Sequence, residues 1–422
     1  MKSIRVILLM AFVIAVAVNM NGADPMATAY SAEECLGSAM PYPAPEVGTA
    51  YPDSLTPVFI NHVGRHGARF LSSAKTSVEL SRALQRADSA GVLTPLGKSL
   101  LDMAGYVIEK SHNRWGALDS LGMAEQRGIA SRMFRAYPQL FADGKVEAIS
   151  SYAPRCVMSM YEFTHQLDRL NNTVEIRTSS GRQNSPLMRP FDVDEEYKEW
   201  YSGKAWETPY AMFFETTAPA SPARRLVNDA NYFTHEQALD LVWNEYKVLS
   251  GLPAMGMDVD LSVYFTKEEM NALWSCQNLR HYLVRTATTL STEPALIASE
   301  LLLNLITTFD EAVAGENTVG VSLRFGHAET LMPLLSLMRL KGCYYMTNYF
   351  DTVALHWRDF EVVPMAANLQ MVLFRTVKGR YCVRVELNER PVSLLPDSDE
   401  LYVDWTIARD YLVRCLPLHI QP

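Results

Sequence analysis

No cysteine in this chain sits in a Cys-x-x-Cys pair, which argues against zinc-ribbon and thioredoxin-like chemistry. There is no Gly-x-x-x-x-Gly-Lys-Ser/Thr either, so a P-loop nucleotide enzyme is excluded on pattern. His62 and His66 are four apart, but Gly64 lies between them, Gly67 follows and no Glu follows His62. The zincin pattern therefore fails, and no metal is expected. Past the N-terminus no apolar stretch is long enough for a transmembrane helix, and there are no internal repeats or low-complexity tracts. Basic residues are not in excess: the formal net charge is −9, which argues against nucleic acid as a general partner. A small anionic ligand remains open, because a basic pocket reverses the field locally.

What is present is ordinary globular material: 422 residues, 48% hydrophobic and 20% charged, enough for one large domain with a substantial insertion. Met1 to Arg5 is basic and is followed by thirteen apolar residues, Val6 to Val18. That length is too short to span a bilayer and suits a secretory signal peptide over residues 1–29, cut after Ala23 or after Ala29. Neither point carries a cysteine, so a lipid anchor is not supported. The expectation is an exported protein, periplasmic or secreted, with no stable membrane insertion. Cys35, Cys156, Cys276, Cys343, Cys382 and Cys415 would all survive cleavage. Export permits disulfides, and such wide spacing leaves bridges and buried thiols equally open.

The stretch from Val58 to Phe70 reads VFINHVGRHGARF. The run from Pro57 to Val63 is apolar enough for a buried strand, which breaks at Gly64 and delivers Arg65, His66 and Arg69 in quick succession. Gly64 and Gly67 let the backbone approach a ligand, and a helix starting there would add N–H groups that favour an anion. Two guanidiniums beside one imidazole form a phosphate clamp around a candidate nucleophile. A surface turn with solvated arginines is the competing reading of an isolated Arg-His pair.

Helical periodicity fills 76–111, broken at Gly91 and Pro95, and a further helix runs from Leu121 to Tyr137. Lys145 to Ser151 reads as a strand, and Arg155 follows it at the start of the next helix. From 185 to 225 there is little periodicity. Three helical patterns follow: Glu236 to Leu249, Thr266 to Leu290, and Ala295 to Val313. Thr266 and Glu269 make a capping box for the second. Strand character returns from Thr318 to Gly326, then His327-Ala328-Glu329 precedes an apolar helix from Leu331 to Leu340. This repeats the strand, glycine, histidine, helix order of the first motif. Leu369 to Arg375 and Tyr381 to Leu387 read as a hairpin, and Tyr402 to Leu412 as a final helix. Strands alternating with helices imply an α/β fold: a parallel or mixed sheet covered by helices, with ligands beyond the C-terminal strand ends.

The run Arg65-His66-Gly67-x-Arg69 directly after an apolar strand resembles the signature of the histidine phosphatase superfamily, in its acid phosphatase and phytase branch. The resemblance implies that the histidine attacks phosphorus and the arginines hold the phosphoryl oxygens. It assigns His66 as nucleophile and Arg65, Arg69 and Arg155 as phosphate ligands, with His327 as a further donor. Acid phosphatases and phytases of the family carry His-Asp, whereas His327-Ala328-Glu329 resembles the multiple inositol polyphosphate phosphatase branch, in which the glutamate is the proton donor. Glu329 then acts as acid and later as base, through a phosphohistidine intermediate and without a cofactor. The resemblance also implies a helical cap over 185–310, inserted in an α/β core made of 30–184 and 311–422. Arg177, Arg182, Arg189, Lys198, Arg224 and Arg225 are candidates to line a polyanion pocket, although a solvated surface is the better reading of each singly. A Leu-x-x-x-Gly-x-x-Gln-like stretch of the family is loosely matched near Leu121. His62 reads as a core residue, and His112, His165, His235, His281, His356 and His419 receive no role.

The expected activity is removal of phosphates from inositol polyphosphates such as phytate. Simpler phosphoesters, including a diphosphorylated glycerate, are an alternative. So is a non-catalytic anion-binding protein, against which stands the joint presence of His66 and Glu329, a nucleophile and an acid. Oligomeric state is not legible.

Overall fold

The computed structural model describes residues 29–46, 50–142 and 144–422. The signal-peptide reading falls outside them, apart from Ala29. The sheet is laid out around β1 (Leu55–Arg65), which is buried continuously from Phe59 to Arg65. Covering on both faces accounts for that run, and alternation still sorts the side chains. Phe59 and Val63 enter one apolar cluster and Ile60 enters another on the opposite face.

After β1 come α1 (Lys75–Ser89), α2 (Pro95–Lys110), α3 (Ser120–Ala136), β2 (Lys145–Ser150), α4 (Pro154–Leu170) and β3 (Glu175–Ser180). Five short helices follow: α5 (Ser185–Met188), α6 (Pro190–Val193), α7 (Glu195–Ser202), α8 (Glu207–Thr217) and α9 (Ser221–Arg225). Next are α10 (His235–Leu249), α11 (Lys267–Arg285), α12 (Glu293–Leu296) and α13 (Ser299–Ala314). The chain then returns to the sheet as β4 (Val321–Gly326), followed by α14 (Ala328–Leu337), α15 (Val353–His356) and α16 (Asp359–Val362). It closes with β5 (Asn368–Thr376), β6 (Tyr381–Leu387), β7 (Arg390–Val392), β8 (Val403–Asp404) and α17 (Trp405–Cys415).

The sheet order is β3-β2-β4-β1-β5-β6-β7, with β8 also on β6. β1, β4, β2 and β3 are parallel, and the β5–β6 hairpin and its neighbours are antiparallel, so the sheet is mixed. α13, α14 and α17 pack on one face and α3 and α4 on the other. A third apolar cluster joins α1 and α2 to α10 and α11.

Several details depart from the sequence reading. No helix begins at the Arg65–Arg69 loop; the first one starts at Lys75, so no helix N-terminus supplies anion-binding N–H groups there. The helix expected to reach Leu290 stops at Arg285, where Thr286 turns extended at φ −130° and ψ 164°. Residues 185–225 form short helices, three of them opened by proline. β3 escaped the sequence reading because it is an almost wholly exposed polar edge strand. All six cysteines are free, and all but Cys415 are buried. Among the described residues, no helix is long and apolar enough to cross a membrane.

Glu245 is the misfit in the helical cluster. It is 0% exposed on α10, and neither carboxyl oxygen has a partner among the described residues. Arg225 is near but committed, bonding Glu269 at 2.8 and 2.6 Å and the Tyr264 carbonyl at 2.6 Å. Burial holds the Glu245 carboxyl well above its ordinary range, with Arg225 opposing and Glu269 reinforcing the shift. The folded protein thus keeps this proton to higher pH than the unfolded chain. Its contribution to stability is greatest below the unfolded value and falls as pH rises towards the folded one. In urea unfolding, Glu245→Met should stabilise by about 1–3 kcal/mol at about pH 8 and by less at about pH 5. Equal gains at both would contradict titration as the cause.

Candidate active site

Strand register brings the distant motifs together. Arg65 pairs with Gly326 across β1 and β4, and Ser150 pairs with Phe325 across β2 and β4. His66, His327 and Ser151 therefore leave the sheet side by side, at the C-terminal edge where such sheets bind ligands. The two imidazoles are 5.7 Å apart, ring centre to ring centre, and nearly perpendicular at 76°. Arg155 sits in the first turn of α4 and Glu329 in the first turn of α14. Arg69 and Glu329 both line a cavity of ≈ 370 Å³ at this edge. The six residues singled out in the sequence are thus neighbours.

The loop carrying His66 is held almost entirely through its backbone. The His66 N–H donates to Gly326 O at 3.1 Å, and the His66 carbonyl accepts from the Ala366 N–H at 3.0 Å. The Gly67 N–H donates to Ser159 Oγ at 3.1 Å, and the Ala68 N–H to Glu125 Oε2 at 2.7 Å. Gln126 Nε2 donates to Arg65 O at 3.0 Å. The loosely matched stretch near Leu121 thus contributes two loop-holding side chains. A Cβ on Gly67 would lie 2.4 Å from Gly122 O, and one on Gly122 would lie 2.2 Å from Ala68 O. Only glycine at both positions allows the loop and α3 to approach this closely.

His66 Nδ1 lies 2.9 Å from its neighbour's carbonyl, Gly67 O. A carbonyl only accepts, so Nδ1 carries the hydrogen and Nε2 presents a lone pair. Burial, then the charges of Arg65, Arg69 and Arg155, holds the ring well below its usual titration range, and it is neutral at physiological pH. Around it the guanidiniums are incompletely satisfied. Arg65 Nη1 donates to Ser38 O and Val363 O at 2.6 and 2.5 Å, and Arg69 Nη1 donates to Phe70 O at 2.8 Å. The Nε atoms of Arg65, Arg69 and Arg155 have no partner among the described residues. Burial lowers Arg65 to about 10 and Arg69 to about 9, so both still carry their charge at neutral pH. Buried donors of this kind are costly until an anion accepts from them.

His327 is surrounded by donors. Arg155 Nη2 lies 3.2 Å from its Nδ1, while Arg189 Nη1 and Ser151 Oγ lie 2.9 and 3.0 Å from its Nε2. A neutral ring accepts at one nitrogen only, so it can accept from Arg155 or from Arg189 but not from both. Burial brings it down to about 3, with Arg155 and Arg189 adding to the effect and Glu329 opposing it. Arg189 reaches this position through Thr330, which accepts from the His327 N–H at 3.0 Å and donates to Met188 O at 2.7 Å, tying α5 to α14. Glu329 is half-buried. Burial pushes its carboxyl up, but Arg285, His327, a backbone N–H and Arg65 outweigh burial and hold it well below the usual carboxylate range.

Of the other basic candidates, Arg177 pairs with Glu175, Lys198 with Glu195 and Arg225 with Glu269, while Arg182 lies over the Tyr152 ring. Arg224 lines a separate cavity. Lys247, Arg280 and His281 had no place in the sequence reading, yet they line the same cavity as Arg69 and Glu329. A relay links Lys247 and His281 to the interior. Lys247 Nζ donates to Gln277 Oε1 at 2.7 Å, Gln277 Nε2 to His281 Nε2 at 2.7 Å, and His281 Nδ1 to Asp359 at 2.8 Å. Burial lowers the Lys247 ammonium to about 8. His62 is fully buried between Phe163 and Phe325, with neither ring nitrogen bonded among the described residues. That is a core position. Among the described residues, no group of three or more His, Cys, Asp or Glu could hold a metal ion.

The profile of the histidine phosphatase superfamily (branch 2) matches residues 58–388. Multiple inositol polyphosphate phosphatase 1 of Homo sapiens is 26% identical over 396 residues, spanning 83% of this chain and 78% of that protein. The Gallus gallus protein of the same name is 25% identical over 379 residues, spanning 85% and 82%. In fold, the chain is similar to the Bifidobacterium longum multiple inositol polyphosphate phosphatase crystallised with inositol hexasulfate. The TM-score is 0.75 at 16% identity, covering 91% of this chain and 99% of that one. A phytase from D. castellii matches with a TM-score of 0.70 at 15% identity, covering 95% and 88%.

The Gly67–Gly122 contact makes a sharp prediction. Gly122→Ala forces the His66 loop to shift by about 1 Å, and phosphatase kcat should fall on the order of 10²-fold with the fold retained. Unchanged kcat in a correctly folded variant would show that the close approach does not position the loop.

Proposed function

The chain belongs to the histidine phosphatase superfamily (branch 2), and from that premise we propose that it removes phosphates from inositol polyphosphates such as phytate through a phosphohistidine intermediate. The observation that carries the mechanism is the neutral His66 ring. It donates from Nδ1 to Gly67 O and presents Nε2 among guanidiniums with unpaired Nε atoms. The relatives named above carry the substrate class.

In this reading Arg65, Arg69 and Arg155 neutralise the equatorial oxygens of the bound phosphoryl group, and His327 and Arg189 donate to it from the other side. His66 Nε2 forms the N–P bond as the P–O bond to the ring alkoxide breaks, and Glu329 protonates that leaving oxygen. Water then attacks phosphorus, Glu329 takes its proton, and the N–P bond breaks to free His66 and inorganic phosphate. Glu329 is ionised in the unliganded field of Arg285, His327 and Arg65, so its proton must arrive with substrate. A phosphomonoester anion that still bears one proton supplies it. The free His66 ring is neutral well into the acid range, so turnover should hold at acid pH and decline as pH rises past about 6, where the substrate loses that proton.

We read residues 185–310 as a cap inserted in a core of 30–184 and 311–422; the cavity wall supplied by α10 and α11 supports this. The basic start and apolar run of the N-terminus support export, to the periplasm or beyond. A phosphatase of simpler esters is the second reading, favoured by the modest cavity volume of ≈ 370 Å³.

Two measurements test the mechanism. Phosphate release from inositol hexakisphosphate should survive EDTA and vanish in His66→Ala, whereas release abolished by EDTA would sink the histidine mechanism. Glu329→Gln should slow hydrolysis of alkyl phosphates by about 10²–10⁴-fold, and of an activated aryl phosphate far less. Equal losses on both substrates would count against Glu329 as the acid.

A further inference from the structure

A second and larger cavity, of ≈ 1040 Å³, adjoins the catalytic one and shares Thr76, Lys247 and Arg280 with it. One wall is a face of α1, on which Lys75, Glu79, Arg82 and Arg86 follow at helical spacing. Lys247 and Arg280 come from α10 and α11. The lining holds five cations against two carboxylates, Glu79 and Asp240, in a chain whose net charge is −9. Glu79 engages Lys75 at 4.0 Å, while Arg82 and Arg86 are exposed and form no ion pair among the described residues. Lys247 is held 5.4 Å from the Trp243 ring centre and Arg280 5.5 Å from that of Trp206, which fixes both heads at the junction of the cavities.

A solvated helix face would lie on a convex surface with the two signs in balance, whereas five cations stand against two carboxylates in this lining. Here the cations converge on a concavity, where the field is focused. Arg82 and Arg86 are about 6 Å apart along the helix axis. That separation suits neighbouring phosphates on one ring better than a single phosphate. We propose that the second cavity is an antechamber for polyanions: Arg82 and Arg86 capture a polyphosphorylated substrate, and Lys247 and Arg280 pass it to the catalytic cavity. This rests on the inositol polyphosphate reading above and adds a capture site to it.

The test is the double variant Arg82→Gln/Arg86→Gln, assayed on inositol hexakisphosphate and on an aryl monophosphate at low and high salt. A parallel arm measures Ki of inositol hexakisphosphate against aryl phosphate hydrolysis. For the hexakisphosphate, kcat/KM should fall about 3–10-fold at low salt and Ki should rise by a similar factor, with a shallower salt dependence of both. The aryl phosphate should lose less than about 2-fold, because one phosphate gains little from steering by distant charges. Equal losses on both substrates, or an unchanged Ki and salt slope, would overturn the antechamber. If wild type releases no phosphate from the hexakisphosphate, the substrate reading fails instead, and the Ki arm still decides whether the chamber captures polyanions.

Discussion

The structure depends on a concentration of positive charge that the fold has taken out of water. Arg65, Arg69 and Arg155 surround one buried imidazole, and their Nε atoms have no partner among the described residues. Such an arrangement is costly by itself, so a rigid frame must hold it. The frame is the β1–β4 register, the backbone bonds of the His66 loop, and the glycine contact between that loop and α3. An anion placed at the centre satisfies the donors and relieves the repulsion together. Affinity for phosphoryl groups follows from that.

The same field sets the states of the two groups to which the proposed mechanism gives the chemistry. It keeps His66 neutral, with its hydrogen committed to Gly67 O, and it keeps Glu329 ionised through Arg285, His327 and Arg65. A nucleophile ready in the unliganded site and an acid that gains its proton only with substrate make a natural order of events. The environment, rather than the residue types, assigns the roles.

The first motif was legible because its chemistry is contiguous: strand, glycine, arginine, histidine and arginine all fall within Val58 to Phe70. The second was legible because it repeats that order, and the mixed sheet followed from alternating strands and helices. Arg189 was not distinguishable from Arg177 or Lys198, since nothing local marks it. It reaches His327 only because Thr330 bonds Met188 O across two segments far apart in sequence. β3 is polar and exposed and so lacks any period-2 signal, and proline at the starts of α5, α6 and α9 broke the helical period between 185 and 225. The cavity wall of Lys247, Arg280 and His281 was hidden for the same reason as Arg189: tertiary packing alone brings α10 and α11 to the sheet edge.

The central claim is that His66 attacks phosphorus through Nε2. The most direct measurement is rapid quench of the enzyme with inositol hexakisphosphate, followed by peptide mass analysis under alkaline conditions that preserve phosphoramidates. The account predicts a phosphoryl group on the peptide containing His66, acid-labile, transient during turnover and missing from His66→Ala. Full turnover with no phosphorylated His66 peptide, or the label on another residue, would contradict it.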